Sequence, residues 1–495
     1  MTKKIIHTFL SLAAALLCLC SCVKEDFAPQ GGTTFGEGLL QLNFGPQDNV
    51  CVQTRATLDT KSESRIFNLY VFVFDAAGNK VSGEYFDTRN LKTQEFVSTA
   101  TENCWWVNNA TTNEGKTTGG LVVKTAAGEG MTVYVLTNLD SDMVKVSSNL
   151  LSATIHNEND IKKFNAYLNQ RITNRNGYFP MTGKLSGVTV INNEGSSNTV
   201  RTVINETMLL KRIDAKVRFI FKQGSRPDER GQVIKKFEAR QWKVVNVPRT
   251  SYMLSYDQRG TSDLRGQDFV NVNPDTPDSE YSKYAKDYFD TDFVNFEDFP
   301  QTGQSEFSFY MLENCQVPKK APLKYQDRSR DLKENDGKNR KCEVSYSLDG
   351  VEYTRTMREF EYANDFSTYV VVTGYVEMAL ENDEAGNVLG GDVQYIIHLG
   401  DWNAIINNDT GNQGDGKDSY SAFDNFNTER NTSYTYTVTV NGVNSIRVEV
   451  ETSKGAVSDV IENQPGASGQ ISIAKEEIAI CDCHYVSKTI SFHLN

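Results

Sequence analysis

The chain has 495 residues, with 51 Lys and Arg against 64 Asp and Glu, for a formal net charge of −13. That balance excludes a protein built around a basic nucleic-acid-binding face and suits a soluble surface that repels its neighbours. At about 100–200 residues per domain the length predicts roughly two to four domains.

Lys3 and Lys4 precede an apolar run over residues 5–20, broken only by His7, Thr8 and Ser11, and the chain becomes charged again at Lys24, Glu25 and Asp26. A basic start, a short apolar core and a small-residue exit describe a secretory signal. The run is shorter than the about 20 apolar residues a spanning helix needs. Leu19-Cys20-Ser21-Cys22 looks like a lipobox. Residues 1–21 are therefore read as a signal peptide, Cys22 as the lipidated first residue of the mature chain, and residues 22–35 as a lipid tether. Several acyl chains on one residue are enough to hold a protein at a membrane.

From here the pattern is β. Residues 28–38, rich in Gly and Thr, read as a linker, and residues 40–44 (LQLNF) alternate as a strand with one buried face. Residues 66–74 (IFNLYVFVF) are apolar on both faces and end in the turn cluster Asp75-Ala76-Ala77-Gly78-Asn79. Further strands are expected over 131–136, 209–221, 307–311, 368–378, 393–399 and 434–440. The best helix is 160–171, where Ile161, Phe164, Tyr167 and Leu168 fall three to four apart behind an Asp cap. Residues 257–300 and 407–419 read as loops. Many short strands separated by turn residues indicate sandwiches. The expected organisation is an N-terminal β-sandwich over 36–205, a second over 206–452, and a C-terminal extension over 453–495.

The chemistry-bearing residues are sparse. Nine cysteines include Cys18 and Cys20 in the signal and Cys22 at its end. The other six (Cys51, Cys104, Cys315, Cys342, Cys481 and Cys483) are too few for a disulfide scaffold, and the sequence does not pair them. Cys481-Asp482-Cys483-His484 lacks the spacing and the second ligand pair of a structural zinc site, and the Gly- and Asp-rich stretch 407–419 does not match calcium-loop spacing. Gly115-Lys116-Thr117 resembles the end of a phosphate loop, but Ala110 stands where its first glycine belongs. There is no H-E-x-x-H and no G-x-S-x-G, and nothing singles out one carboxylate pair. No enzyme, metal or cofactor is expected.

An ordered series of motifs then resembles a known family. Thr54-Arg55-Ala56 and Glu63-Ser64-Arg65-Ile66 precede the strand NLYVFVFD. Phe179-Pro180-Met181-Thr182-Gly183, Leu210-Lys211-Arg212-Ile213-Asp214-Ala215-Lys216-Val217 and Asn246-Val247-Pro248 follow. Tyr310-Met311-Leu312-Glu313-Asn314, Tyr395-Ile396-Ile397-His398-Leu399-Gly400 and Arg430-Asn431-Thr432-Ser433-Tyr434 complete the series. From about residue 36 to 450 this resembles the fimbrillin family, the pilin, anchor and tip subunits of Bacteroides-type fimbriae. Lys24-Glu25-Asp26 likewise resembles the signal that sends lipoproteins of that group to the outer face of the outer membrane.

The resemblance implies an all-β chain with two tandem transthyretin-like β-sandwich domains behind a lipidated N-terminal tether. It implies a structural, adhesion-supporting role, with other fimbrial subunits, the outer membrane and a host or bacterial surface receptor as partners. It also implies assembly by strand exchange after a protease cuts behind an N-terminal Arg. The residues supply parts for this. The strand 40–44 precedes a cleavable Arg55–Ala56 bond. At the other end Val486, Ile490, Phe492 and Leu494 alternate with polar residues, with Lys488 the one break, as a donor strand would. The same terminal strand could instead complete its own domain, and anchor subunits of the family keep their lipid and are not cut. A second reading is a surface glycan-binding lipoprotein with Trp105-Trp106 as a stacking platform, Trp242 and Trp402 being the other tryptophans.

Overall fold

The computed structural model describes residues 36–43, 68–87, 103–111, 117–139, 154–167, 179–193, 202–203, 208, 210–227, 231–262, 277–296, 304–322, 325–380, 388–401, 423–443, 446–454 and 477–481. The fold is all-β, built from two successive pairs of sheets.

The first pair uses nine strands. One sheet has the order β4-β5-β1-β9, with β1 (Glu37–Asn43), β4 (Cys104–Thr111), β5 (Thr117–Ala126) and β9 (Thr202–Val203). The other runs β10-β8-β6-β2-β3, with β2 (Asn68–Phe74), β3 (Lys80–Asp87), β6 (Gly128–Thr137), β8 (Met181–Val190) and β10 (Lys211–Arg212). Their inner faces meet in one apolar core that includes Leu40 and Leu42 of β1, Leu69, Val71 and Val73 of β2, Leu121 and Val123 of β5, and Val133 and Val135 of β6. Strand β2 is buried at every position. Its alternate residues Tyr70, Phe72 and Phe74 join a second core with Tyr134, Leu136, Ile155, Ile161, Met253 and Leu254. A layer of short elements thus covers the outer face of the second sheet, which is why NLYVFVF carries no polar alternation.

The second pair sets the sheet β17-β11-β22-β23-β24 against β16-β12-β20-β21. Its strands are β11 (Asp214–Gln223), β12 (Gln232–Val245), β16 (Val294–Asn295), β17 (Gln304–Leu312), β20 (Tyr369–Leu380), β21 (Leu389–His398), β22 (Thr432–Val440), β23 (Ile446–Lys454) and β24 (Glu477–Cys481). Alternation along β11 and β22 places Ala215, Val217, Phe219 and Phe221 beside Tyr434, Tyr436 and Val438 in the core. Aromatic rings run through it: Phe219 stacks on Tyr436 with centroids 4.6 Å apart, and Trp242 stacks on Phe307 at 4.1 Å.

Smaller elements complete the chain. Strand β7 (Asn165–Tyr167) pairs with β14 (Thr250–Tyr252), β13 (Val247–Pro248) with β15 (Tyr288–Phe289), and β18 (Lys341–Leu348) with β19 (Val351–Arg358). Among the described residues the α-helices are α1 (Glu158–Lys162), α2 (Tyr256–Arg259) and α3 (Pro277–Ala285). Among the described residues no helix is long and apolar enough to cross a membrane.

Three expectations change. Of the helix expected over 160–171, the described residues, which end at 167, hold only α1, fixed by a capping box between Asn157 and Asp160. The chain then pairs as β7 with β14, so tertiary pairing overrides the helical spacing of Tyr167. The single strand expected over 209–221 is broken at Ile213: β10 pairs with β8 in the first sheet pair, and β11 pairs with β17 and β22 in the second. The stretch 257–300, read as a loop, holds α3, β15 and β16. Tyr281 and Ala285 of α3 pack with Tyr288, Val344, Met357 and Phe366 into a satellite core.

Candidate assembly site

Strand β1 is the first described strand and an internal one. It pairs antiparallel with β5 over seven positions, from Glu37 opposite Ala126 to Asn43 opposite Gly120. On its other edge Leu40 and Gln41 pair in parallel with Thr202 and Val203 of β9. Period-2 alternation sends Gly38, Leu40 and Leu42 toward the core, where both leucines are fully buried. Main-chain bonds hold the entry: Ala127 N donates to Gly36 O at 2.9 Å, and Asn193 N donates to Glu37 O at 2.8 Å. The Glu37–Lys124 ion pair beside it is exposed and contributes little.

Gly38 shows how closely the sheets approach here. A Cβ at this position would lie 2.5 Å from Val190 Cγ1 and 2.8 Å from Ile191 O, inside any real contact distance. At roughly 1.5–3 kcal/mol per fully buried leucine, removing β1 with nothing in its place costs several kcal/mol. Whole-domain stabilities are about 5–15 kcal/mol, so that loss is a large part of the whole.

At the opposite end of the chain, β24 lies antiparallel on β23, with Val448 opposite Cys481 and Thr452 opposite Glu477, and it forms the outer strand of its sheet. The sequence reading passed over this strand. Its cue was the apolar alternation of Ile478 and Ile480 within an acidic and cysteine-bearing stretch.

The residues singled out from sequence fall as follows. Cys22, Arg55, Ala56, Val486, Ile490, Phe492, Leu494 and Trp402 lie outside the described residues. The Arg55–Ala56 bond falls in sequence between β1 and β2. Trp242 is a core residue stacked on Phe307. Trp105 is half-buried on β4 opposite Val122. Cys104 and Cys315 are buried and Cys342 is half-buried. Burial, reinforced by the charge of Glu84, pushes the Cys104 thiol up to about 12, so it is unreactive at neutral pH. Among the described residues no cluster of three or more His, Cys, Asp and Glu could hold a metal ion.

The polar motifs of the second half meet at its junctions. Arg430 and Glu313 form a buried ion pair, and Arg430 also donates to Met253 O at 2.7 Å and to Ser251 Oγ at 3.0 Å. Asn246, at φ +61°, donates to Asp365 O at 2.7 Å and to Ser367 O at 2.9 Å. Asn314 donates to Phe366 O at 2.9 Å and to Thr368 Oγ1 at 2.8 Å. These side chains satisfy main-chain groups where strands end, which is a structural role.

Residues 40–212 match the family model described as Major fimbrial subunit protein (FimA). The match begins within β1, ends at the last residue of β10 and so spans both sheets of the first pair. Over these residues the chain is similar to that family of fimbrial subunits. The description is of a structural subunit and not of an enzyme. No curated protein sequence matches the chain. Among solved structures, the tip fimbrial protein Mfa3 from Porphyromonas gingivalis with C-terminal truncation is similar at 15% identity, over 84% of this chain and 99% of that one, with a TM-score of 0.39. A fimbrial assembly protein from Parabacteroides distasonis is similar at 13% identity, over 90% and 98%, with a TM-score of 0.33. The fimbrial anchor protein Mfa2 from Porphyromonas gingivalis is similar at 9% identity, over 84% and 97%, with a TM-score of 0.28.

Proposed function

We propose that this chain is a fimbrial subunit that is exported as a lipoprotein acylated at Cys22, matures by cleavage between Arg55 and Ala56, and polymerises at the outer membrane by β-strand exchange. The observation that carries this reading is the position of β1. It is an internal core strand, yet the whole of it precedes Arg55 in sequence. A cut there leaves β1 held by hydrogen bonds and side-chain burial alone, so a strand from another subunit can replace it. The incoming strand comes from the extension after β23, whose last alternating stretch carries Val486, Ile490, Phe492 and Leu494. The two pairs of sheets, which meet at Ile213 and not at the boundary of 205 and 206 expected from sequence, are the two domains, and the polymer or its tip meets a surface receptor.

The test is intact mass and N-terminal sequencing of the protein from sheared filaments and from outer membranes. A start at Ala56 in filaments that resist dissociation supports the reading. A start at acylated Cys22, confined to membranes and monomeric, would sink polymerisation of this chain and leave an anchor role.

A further inference from the structure

Between β17 and β20 the chain leaves the two main sheets and returns, and the two ends of this excursion meet at one ion pair. Lys319 stands near its start and Asp365 near its end, with the hairpin of β18 and β19 between them. Lys319 Nζ lies 2.5 Å from Asp365 Oδ2. The Lys124–Glu37, Lys211–Asp257 and Lys320–Glu361 pairs are open to water. Asp365 differs from their carboxylates in being wholly buried, and the Lys319 side chain is only 16% exposed.

Each oxygen of Asp365 has a donor. Oδ1 accepts from the main-chain N–H of Phe360 at 2.9 Å. Oδ2 accepts from the Tyr281 hydroxyl at 2.5 Å as well as from Lys319. Lys319 Nζ also donates to Phe360 O at 3.0 Å, which fixes the amine beside the carboxyl. Tyr281 and Phe360 are fully buried and Phe366 nearly so. Burial, then the negative charge of Asp365, holds the Tyr281 phenol far above its ordinary range, so it stays a proton donor. An amine, a carboxyl polarised at one oxygen by a fixed N–H, and an acid at the other oxygen are thus held together in a site shielded from water. The geometry points to a covalent bond: Lys319 and Asp365 condense into a side-chain amide.

The step needs no other reactant. One proton passes from Nζ to Oδ2, leaving a neutral amine beside a carboxylic acid, and a dry site narrows the gap between these and the ion pair. The Nζ lone pair then forms a bond to Cγ. The carbonyl π electrons move onto Oδ1, where the Phe360 N–H stabilises the charge. As the carbonyl re-forms, the Cγ–Oδ2 bond breaks. Tyr281 gives its proton to the departing oxygen and recovers one from Nζ. The products are one secondary amide and one water. The amide closes a covalent loop around the hairpin of β18 and β19, so the base of the excursion stays joined when the chain is heated or pulled. This bond depends neither on cleavage behind Arg55 nor on strand exchange.

The experiment is intact mass and peptide mapping of the purified full chain, with Lys319→Gln made in parallel. The parent should weigh one water less than its mature sequence requires. Digestion should release a branched peptide that joins the segment holding Lys319 to the segment holding Asp365. Lys319→Gln should keep the full mass of its sequence. Asp365→Asn should give the same branched peptide with ammonia lost in place of water, so that its final mass equals the parent's. Tyr281→Phe should slow bond formation by on the order of 100-fold, read as the rise of the branched peptide with time after synthesis. A parent of full mass, with the Lys319 and Asp365 peptides separate, would overturn the assignment. So would loss of water without the branch, which marks a cyclised aspartate. The parent's own peptides decide this even where a variant fails to fold.

Discussion

Gln258 and Thr182 exchange two hydrogen bonds across the junction between the two pairs of sheets. The Thr182 hydroxyl donates to Gln258 Oε1 at 2.7 Å, and Gln258 Nε2 donates to Thr182 O at 2.9 Å. Both residues are buried, and Gln258 Oε1 also accepts from Ser255 N at 3.0 Å. The single-turn helix α2 is thereby fixed to β8 of the first pair. Lys211 and Asp257 add a partly exposed ion pair beside it.

Gln258→Leu removes the clamp and strands buried polar groups on Thr182 and Ser255. A loss of about 1–3 kcal/mol is expected. Urea unfolding of the single variants and of Gln258→Leu with Thr182→Val measures it, and the double variant should lose less than the two singles added together. Strict additivity would count against direct coupling.

The Arg430–Glu313 pair is nearly dry. Arg430→Met leaves the Glu313 carboxylate buried with its main cationic partner gone, for an expected cost of about 3–5 kcal/mol. Adding Glu313→Leu should recover part of that stability, because the pair then disappears together. Denaturant midpoints of the two variants decide this.

Gly38→Ala tests the close approach under β1 in the uncut chain. A methyl group meets Val190 and the Ile191 carbonyl, and overpacking of this kind costs roughly 1–3 kcal/mol. The melting temperature should fall measurably, whereas Glu37→Ala, at an exposed position, should barely move it.

His398 links the fold to acidity. Its Nδ1 lies 3.1 Å from Ser329 Oγ, and its ring sits among Phe360, Tyr369 and Phe426. Burial first, then the positive charges of Arg328 and Arg358, hold its pKa well below the ordinary 6.5. As pH falls below about 6.5 the unfolded chain takes up a proton that the folded chain refuses, so stability is lost toward acid. Thermal unfolding between pH 7.5 and pH 5 should show a shallower decline for His398→Asn than for the parent. Parallel declines would place the acid sensitivity elsewhere.

Strands with a single dominant signal were legible in the sequence. Residues 66–74 and 434–440 correspond to β2 and β22, and alternation in 40–44 marked the body of β1. The hairpin of β18 and β19 was missed although Asp349-Gly350, both at positive φ, is the tight-turn pair that flags it. Its strands alternate Ser, Glu and Thr with few apolar residues, because one face is solvated and only the base packs on α3. The break at Ile213 was hidden because Ile213 itself belongs to the period-2 row Ile213, Ala215, Val217, Phe219 and Phe221, so nothing local marks where the chain changes sheets.

The sequence by itself determined that the chain is all-β, that a turn follows the strand ending at Phe74, and which family residues 36–450 resemble. Those follow from side-chain periodicity, turn chemistry and motif order, all of which are local. Only the tertiary structure decided that β1 is an internal strand, that Gly38 leaves no room for a side chain, and that Gln258 and Arg430 are buried at junctions. Those facts depend on which distant backbone comes alongside, and a residue's own neighbours in the chain carry no record of it.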